Sequence, residues 1–299
     1  MANNGGYSRG NRMTREEAEA SLAEWQAKHP GKHVRKAYAA LGDDTTLSRF
    51  VKIKGSGHAG ARKSRSGQLW LLNMRHRVLE LGRSIFYAKG VKPPSAMKRL
   101  LVSGHSNVKI GRDVRKGKFF RGYWIYTLTL EERATCPRTC HHWETCYGNN
   151  MPWATRVEHG PALMRALEVE LRDLLAKRGR VGILVRLHAL GDFWSPEYVG
   201  FWDAMLKLHP RLAVYGYTAR REGDPIGDAI ARVKAIHGRR FAIRWSDGEA
   251  PDDATRSIRD EADCPPGAFV CPEQTGKTAA CATCGLCWNS TKPVAFLEH

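Results

Sequence analysis

Between residues 159 and 246 the chain alternates helical and strand-like segments with short connections. The helical pattern "HGPALMRALEVELRDLLAK" is followed by the apolar run "VGILVRLHAL", the helix "SPEYVGFWDAMLKLH" by the strand "LAVYGYTA", and the helix "DPIGDAIARVKAIH" by the strand "RFAIRWS". Strands that read as nearly continuous apolar runs are buried on both faces, which points to parallel pairing with helices as crossovers. Right-handed crossovers then restrict the arrangement to an α/β parallel sheet or a partial (β/α) barrel. The sequence flanks this core with a basic N-terminal region, 1–102, and a cysteine-rich C-terminal segment, 261–299, leaving 103–260 as the α/β unit.

Upstream of the core the pattern is less regular. "TREEAEASLAEWQAKHPG" has capping-box spacing at Thr14 and Glu17 and predicts a helix that ends at His29-Pro30-Gly31. "FVKIKGSGHAGARKSRSG", residues 50–67, begins as a strand and turns into a basic loop whose glycines and serines disfavour regular structure. It lacks the spacing of a nucleotide-binding loop. "LWLLNMRHRVLELGRSIFYAKG" has apolar residues at helical intervals from Leu71 to Leu81 and predicts one helix. "SNVKIGRDVRKGKFFRGYWIYTLTL" reads as a hairpin-like element with "RKGK" at its turn.

Charge divides the chain. Residues 1–130 hold 26 Lys and Arg against 8 Asp and Glu, while residues 131–299 hold 22 of each, so the whole net charge of +18 belongs to the N-terminal part. A polarised footprint of this kind predicts a polyanionic partner, nucleic acid ahead of membrane, because no basic amphipathic helix with a broad apolar face is evident. Lys109, Arg112, Arg115, Lys116 and Lys118 interleave with Phe119, Phe120, Tyr123 and Trp124, a combination suited to phosphate contacts and base stacking. Neither a signal peptide nor a stretch of eighteen apolar residues occurs, so the expected location is the cytoplasm and no membrane partner is expected.

That compartment bears on the eight cysteines, since a reducing environment favours metal, cluster or catalytic use over disulfides. Seven are clustered. Cys136, Cys140 and Cys146 share the loop "ATCPRTCHHWETCYG", and Cys271, Cys281, Cys284 and Cys287 share "CPEQTGKTAACATCGLC"; Cys264 stands apart and reads as an ordinary core thiol. Three ligands in one loop leave a coordination position open, for water on zinc or a small molecule on a four-iron cluster, unless His141 or His142 fills it. Four ligands close a site, and the C-x2-C-x2-C run favours iron–sulfur ligation, with zinc as the alternative.

In parallel α/β folds the working residues gather where strands end. Those positions carry the first cysteine loop, then His188, Gly191 and Asp192, then Tyr217, Thr218, Arg220 and Arg221, then Arg244, Ser246 and Asp247.

Two resemblances follow. The three-cysteine loop after the first strand of a β/α array, with "LGDF" around Gly191-Asp192 after the second, resembles radical S-adenosylmethionine enzymes, although their loop is usually C-x3-C-x2-C and their second motif Gly-Gly-Glu. Residues 103–292, with "LTLEERATCPRTC", "CYG", "RLHALGDFWSPEYVGFW", "YGYTAR" and "CATCGLCW", more closely resemble the "gene product 88" family of phages and plasmids. The second implies a mobile-element origin and a cysteine-bound centre. The first implies a 4Fe-4S cluster on Cys136, Cys140 and Cys146 that binds S-adenosylmethionine and takes an electron from a donor. On that reading Gly191 and Asp192 contact the cofactor and Arg220 and Arg244 face cofactor or substrate. The expectation is thus a divergent radical-S-adenosylmethionine-like iron–sulfur protein acting on nucleic acid. Its alternatives are a non-catalytic, metal-stabilised nucleic-acid-binding protein of a mobile element and hydrolysis at an open zinc site.

Overall fold

A computed structural model describes residue 27, residues 48–52 and 68–72, and residues 77–297 apart from 144–145, 152–153, 179 and 247–251. The helix expected over 14–31, Ala27 aside, and the basic loop over 53–67 lie outside the described residues.

Eight strands form one mixed, mostly parallel sheet: β1 (Val102–Ser103), β2 (Trp124–Thr127), β3 (Ile183–Leu187), β4 (Leu212–Thr218), β5 (Phe241–Ser246), β6 (Ala254–Ile258), β7 (Phe269–Val270) and β8 (Val294–Leu297). Their spatial order is β7-β8-β6-β5-β4-β3-β2-β1, with only β1 antiparallel to its neighbour. The sheet is open, with edges at β1 and β7, and does not close into a barrel. Helices α1 (Pro161–Arg178), α2 (Pro196–Leu208) and α3 (Pro225–His237) make the crossovers from β2 to β5.

Each helix starts where its sequence says it should. Ser195 accepts from the Tyr198 amide and Asp224 from the Ile226 amide, and each is followed by a proline whose missing N–H costs nothing in the first turn. In α1, Leu163, Leu167, Leu171 and Leu175 recur every fourth residue and are all buried. Such leucines stabilise by about 1.5–3 kcal/mol each when fully removed from water. They pack on Ile183, Val185 and Leu187 of β3, while Leu184, the next register position, faces the opposite way.

Among the described residues, that opposite, inner face carries no long helix. It is covered by residues 110–123 and the cysteine-rich segment, with Ile110, Val114, Ala280, Ala282 and Trp288 packed on Ile125, Leu184, Ala213 and Tyr215. The cysteine-rich segment is therefore part of the same body, and it supplies β7 and β8 to the same sheet.

Two elements differ from the sequence reading. Residues 69–90 are not one helix. Gln68–Leu72 is a strand paired antiparallel with Ser48–Lys52, and short helices follow at Arg77–Leu81 and Tyr87–Gly90. Four consecutive residues, Leu69 to Leu72, fit a strand as well as a helix, and Gly82 at φ +63° ends the turn that follows. The "RKGK" segment is hairpin-like only at its base, where the Val114 amide donates to the Tyr123 carbonyl and the Gly122 amide to the Val114 carbonyl.

The second half of the sheet is displaced. β6 pairs with β5 only through Ala254 and Thr255 beside Trp245 and Ser246, so β6 and its neighbours extend past the C-terminal end of β5. This step places Ser257 2.8 Å from His142 of the first cysteine loop and Phe296 5.3 Å from Tyr217.

Candidate cysteine-bound centres

The first cysteine loop leaves the C-terminal end of β2 and is fastened by buried charge. Glu131 and Glu132 are each 1% exposed. Glu131 accepts from Arg83 Nε at 2.7 Å and from the Ser84 amide at 3.0 Å. Glu132 accepts from Arg156 Nε at 2.5 Å, from Arg156 Nη2 at 3.0 Å and from Ser84 Oγ at 2.7 Å. The fully buried Arg156 also donates to the carbonyls of Gly148, Met151 and Ala154, beyond the last cysteine. Arg133 donates to the Trp143 carbonyl and to Asn149 Oδ1, both at 2.8 Å. One network therefore closes the loop at both ends.

Asp192 ties this loop to the neighbouring strand ends. Gly191 at φ +86° brings the backbone so close that a Cβ there would meet Leu130 Cβ and Thr135 Oγ1 at 2.6 Å. The Asp192 amide donates to Thr135 Oγ1 at 3.0 Å, and its carboxylate accepts from Thr218 Oγ1, the Ala219 amide and the Phe193 amide at 2.7–2.8 Å. Burial pushes its carboxyl up to about 6, against these donors and Arg220, which favour the charged form. Arg220 donates to the carbonyls of Phe193 and Thr135, each at 2.9 Å, and so fixes the peptide just before Cys136. His188 is buried with its Nε2 3.1 Å from the Tyr198 hydroxyl. Arg221 donates to the Ser246 carbonyl. Asp247 lies outside the described residues.

Cys136, Cys140 and Cys146 are all half-buried and free of disulfides. Burial pushes the Cys136 thiol well up, with Asp192, Cys146 and Cys140 adding to the shift, and pushes Cys146 up to about 11. Cys140 likewise adds to the shift of Cys146, behind Glu132.

The second group is held from the inner face. The Cys281 amide donates to the Lys109 carbonyl and the Cys271 amide to Ala295, and the hydroxyl of Tyr217 lies 3.1 Å from Cys287 Sγ. Arg244, fully buried on β5, donates to the carbonyls of Cys287, Lys292, Leu286 and Ser290 and so organises the backbone around Cys284 and Cys287. Burial pushes Cys271 up to about 12, with Cys287 adding to the shift. Burial also raises Cys284, again with a contribution from Cys287. Cys264 packs apart, with Ile258, Val270, Ala295 and Leu297.

Among the described residues, no three His, Cys, Asp or Glu side chains stand in a finished metal-binding arrangement. The donors fit a soft metal or an iron–sulfur cluster in kind: thiols in two groups, half-buried or buried and mutually repulsive as thiolates, are the set a cation relieves. Glu131, Glu132, Arg133 and Arg156 enter the site from outside the cysteine and strand-end motifs of the sequence. The "EER" immediately before "ATC" was the available signal.

The basic stretch packs on the second group. The amides of Arg115 and Lys116 donate to the Ala282 carbonyl, and the Phe119 amide to Asn289 Oδ1. Arg112, Arg115, Lys116 and Lys118 are exposed, whereas Lys109 is half-buried beside Glu273, Cys271 and Cys281. Arg112 and Arg115 line a depression of about 320 Å³ with His105, Ala280, Ala282 and Thr283. Arg112 lies over Trp124, and Lys118 and Arg239 lie over Phe119.

The family model for gene product 88 matches residues 100–290, which include both cysteine groups and all of the sheet except its last strand. The chain belongs to the gene product 88 family. The Gene 88 protein of Mycobacterium phage L5 is 28% identical over 134 residues, covering 38% of this chain and 54% of that protein. The Gene 88 protein of Mycobacterium phage D29 is 27% identical over 139 residues, with the same shares. The chain thus spans about half the length of these curated gene product 88 relatives. No solved structure matches it. Among the described residues no helix is long and apolar enough to cross a membrane.

Proposed function

We propose that this gene product 88 protein is an iron–sulfur protein acting on nucleic acid, with S-adenosylmethionine-dependent radical chemistry at its first cysteine loop. The observation that carries the reading is the juxtaposition at the C-terminal ends of β2, β3 and β4. There the charges of Asp192, Cys146 and Cys140 bear on Cys136, and Thr135, next to Cys136, accepts from the Asp192 amide and from Arg220. A cluster on these three thiolates would supply one-electron reductive cleavage of S-adenosylmethionine, which requires an external electron donor. The chain's own residues position the loop: Asp192 and Arg220 fix its first peptide, and Glu132 with Arg156 closes it. The second group, Cys271, Cys281, Cys284 and Cys287, holds a separate centre of iron–sulfur or zinc type. Its segment carries the exposed cations Arg112, Arg115, Lys116 and Lys118 on its outer side, where a nucleic-acid backbone would lie.

A second reading is favoured by the hydrogen bonds of the rim itself. The Asp192 carboxylate and the Arg220 guanidinium already have protein partners, as a purely structural role requires. On this reading both centres are closed, and the protein binds nucleic acid without catalysis.

The test is anaerobic purification and reconstitution, followed by iron, sulfide and zinc counts, a visible spectrum, and assay of methionine and 5′-deoxyadenosine after addition of S-adenosylmethionine and dithionite. Broad absorbance near 400 nm with release of both products, lost in Cys140→Ala, supports the radical reading. A reconstituted protein that neither binds nor cleaves the cofactor supports the second, and a colourless protein without iron overturns the cluster.

A further inference from the structure

The first cysteine loop and the connection between the short helices Arg77–Leu81 and Tyr87–Gly90 border a pocket of about 340 Å³. Its wall includes Arg83 from that connection, Arg133, Cys136, Arg138 and Trp143 from the loop, and His159. Three guanidinium groups therefore line one pocket, and among the described residues no Asp or Glu joins them in the lining. A concavity lined by one sign of charge concentrates ions of the other sign.

Two of the three arginines are accessible, and both are held in place. Arg83 keeps 39% of its side chain exposed and donates through Nε to Glu131, while its Nη1 and Nη2 have no acceptor among the described residues. Glu131 also accepts from the Ser84 amide, and Glu158 acts on Arg83 from outside the lining. Arg138 is exposed, donates to the carbonyls of Leu79 and Glu80, and lies 5.3 Å from the centre of the Trp143 ring. These partners are neutral, so they fix its guanidinium without cancelling its charge. Side chains ordered in advance lose less freedom when a ligand arrives. Arg133, 3% exposed, adds its charge from behind the other two.

We propose that this pocket binds the phosphate group of a nucleotide between Arg83 and Arg138, beside Cys136. Guanidinium groups are donors only, which excludes a cation as the occupant. A phosphate directs its oxygens tetrahedrally, so two guanidinium groups from separate segments can each meet oxygens of their own. A carboxylate offers two oxygens in one plane, which a single fork already occupies. Pockets of about 300–1,000 Å³ hold organic ligands rather than lone ions, so the phosphate arrives as part of a larger molecule. That this molecule belongs to a nucleic acid rests on the proposed function; the anion site itself needs no metal at either cysteine group. Bound there, the phosphate would anchor the substrate against the loop proposed to act on it.

The test is equilibrium dialysis of the protein as purified against radiolabelled thymidine monophosphate at fixed ionic strength, with inorganic phosphate, hexathymidylate and methionine as competitors. Saturable binding of one nucleotide per chain is expected, displaced by inorganic phosphate and weakened about tenfold or more in Arg83→Gln and in Arg138→Gln, as loss of a charge-assisted hydrogen bond implies. Circular dichroism checks the folding of each variant. Arg138→Gln, exposed and without a carboxylate partner, serves if Arg83→Gln, which strips Glu131 of its guanidinium, does not fold. Displacement by hexathymidylate at lower concentration than by unlabelled monophosphate identifies the phosphodiester of a strand as the ligand, and the reverse order identifies a free nucleotide. No saturable binding overturns the proposal. So does displacement by methionine at lower concentration than by inorganic phosphate, or binding that survives in both arginine variants but is lost in Lys116→Gln/Lys118→Gln. A protein without iron that binds the nucleotide retains this site and loses only the cluster, and an iron–sulfur protein without saturable binding does the reverse.

Discussion

Mild acid should unfold this protein in part through His188. The residue is 5% exposed and sits against Phe193 and Tyr198, with ring centroids 5.1 and 5.7 Å away. Burial pushes its imidazole down to about 3, so it remains neutral in the folded chain throughout the mildly acidic range. An unfolded chain protonates the same side chain near 6.5. Below that value the unfolded state binds a proton that the folded state refuses, so stability falls as the pH is lowered to about 3, where the folded form also takes up the proton. The loss is about 1.4 kcal/mol per pH unit well inside this window, or roughly 2 kcal/mol between pH 6.5 and 4.5. Asp192, raised to about 6, works in the opposite direction over part of the same range: as a carboxyl that the fold prefers protonated, it adds stability as pH falls from about 6 towards 4. The experiment must therefore isolate His188. Urea unfolding of wild type and His188→Phe at pH 7, 6.5, 5.5 and 4.5 does so, because Asp192 and all other groups are present in both. The stability of His188→Phe relative to wild type should improve by roughly 2 kcal/mol from pH 6.5 to 4.5. A difference that stays constant with pH would refute the buried, neutral imidazole.

Three further outcomes follow from the geometry. Glu132→Gln should destabilise the protein by about 3–5 kcal/mol in urea, because Arg156 is left fully buried with an uncompensated charge; a cost below 1 kcal/mol would mean that water reaches the pair. Joint replacement of Arg112, Arg115, Lys116 and Lys118 by Gln should weaken nucleic-acid binding and flatten its log–log salt slope by about 0.7–0.9 for each phosphate that is no longer neutralised, while Lys109→Gln, at a half-buried position, should leave that slope unchanged. Cys284→Ala/Cys287→Ala should remove only part of the metal found on the wild-type protein, and complete loss or complete retention in metal analysis would contradict two separate centres.

Much of this arrangement is legible in the amino-acid sequence alone. The apolar runs at Ile183–Leu187, Leu212–Thr218 and Phe241–Ser246, and the capped helices between them, specify parallel strands because a strand apolar along its whole length needs cover on both faces and a helix between two such strands is the crossover of a parallel pair. The same local chemistry marks the strand ends, and so places Cys136, Asp192 and Arg220 at one rim. Tertiary structure decides the rest. Ala254–Ile258 is too polar, and Phe269–Val270 too short, to announce itself, and both become strands because an existing sheet edge offers them hydrogen bonds. The cysteine-rich segment reads as an appendage, yet its Trp288 and Ala282 bury the inner face of the strands. Roles diverge most among the arginines, which are chemically identical in the sequence. Which guanidinium meets Glu132 and which meets four carbonyls depends on side chains brought together across dozens of residues, and only the folded chain sets those distances.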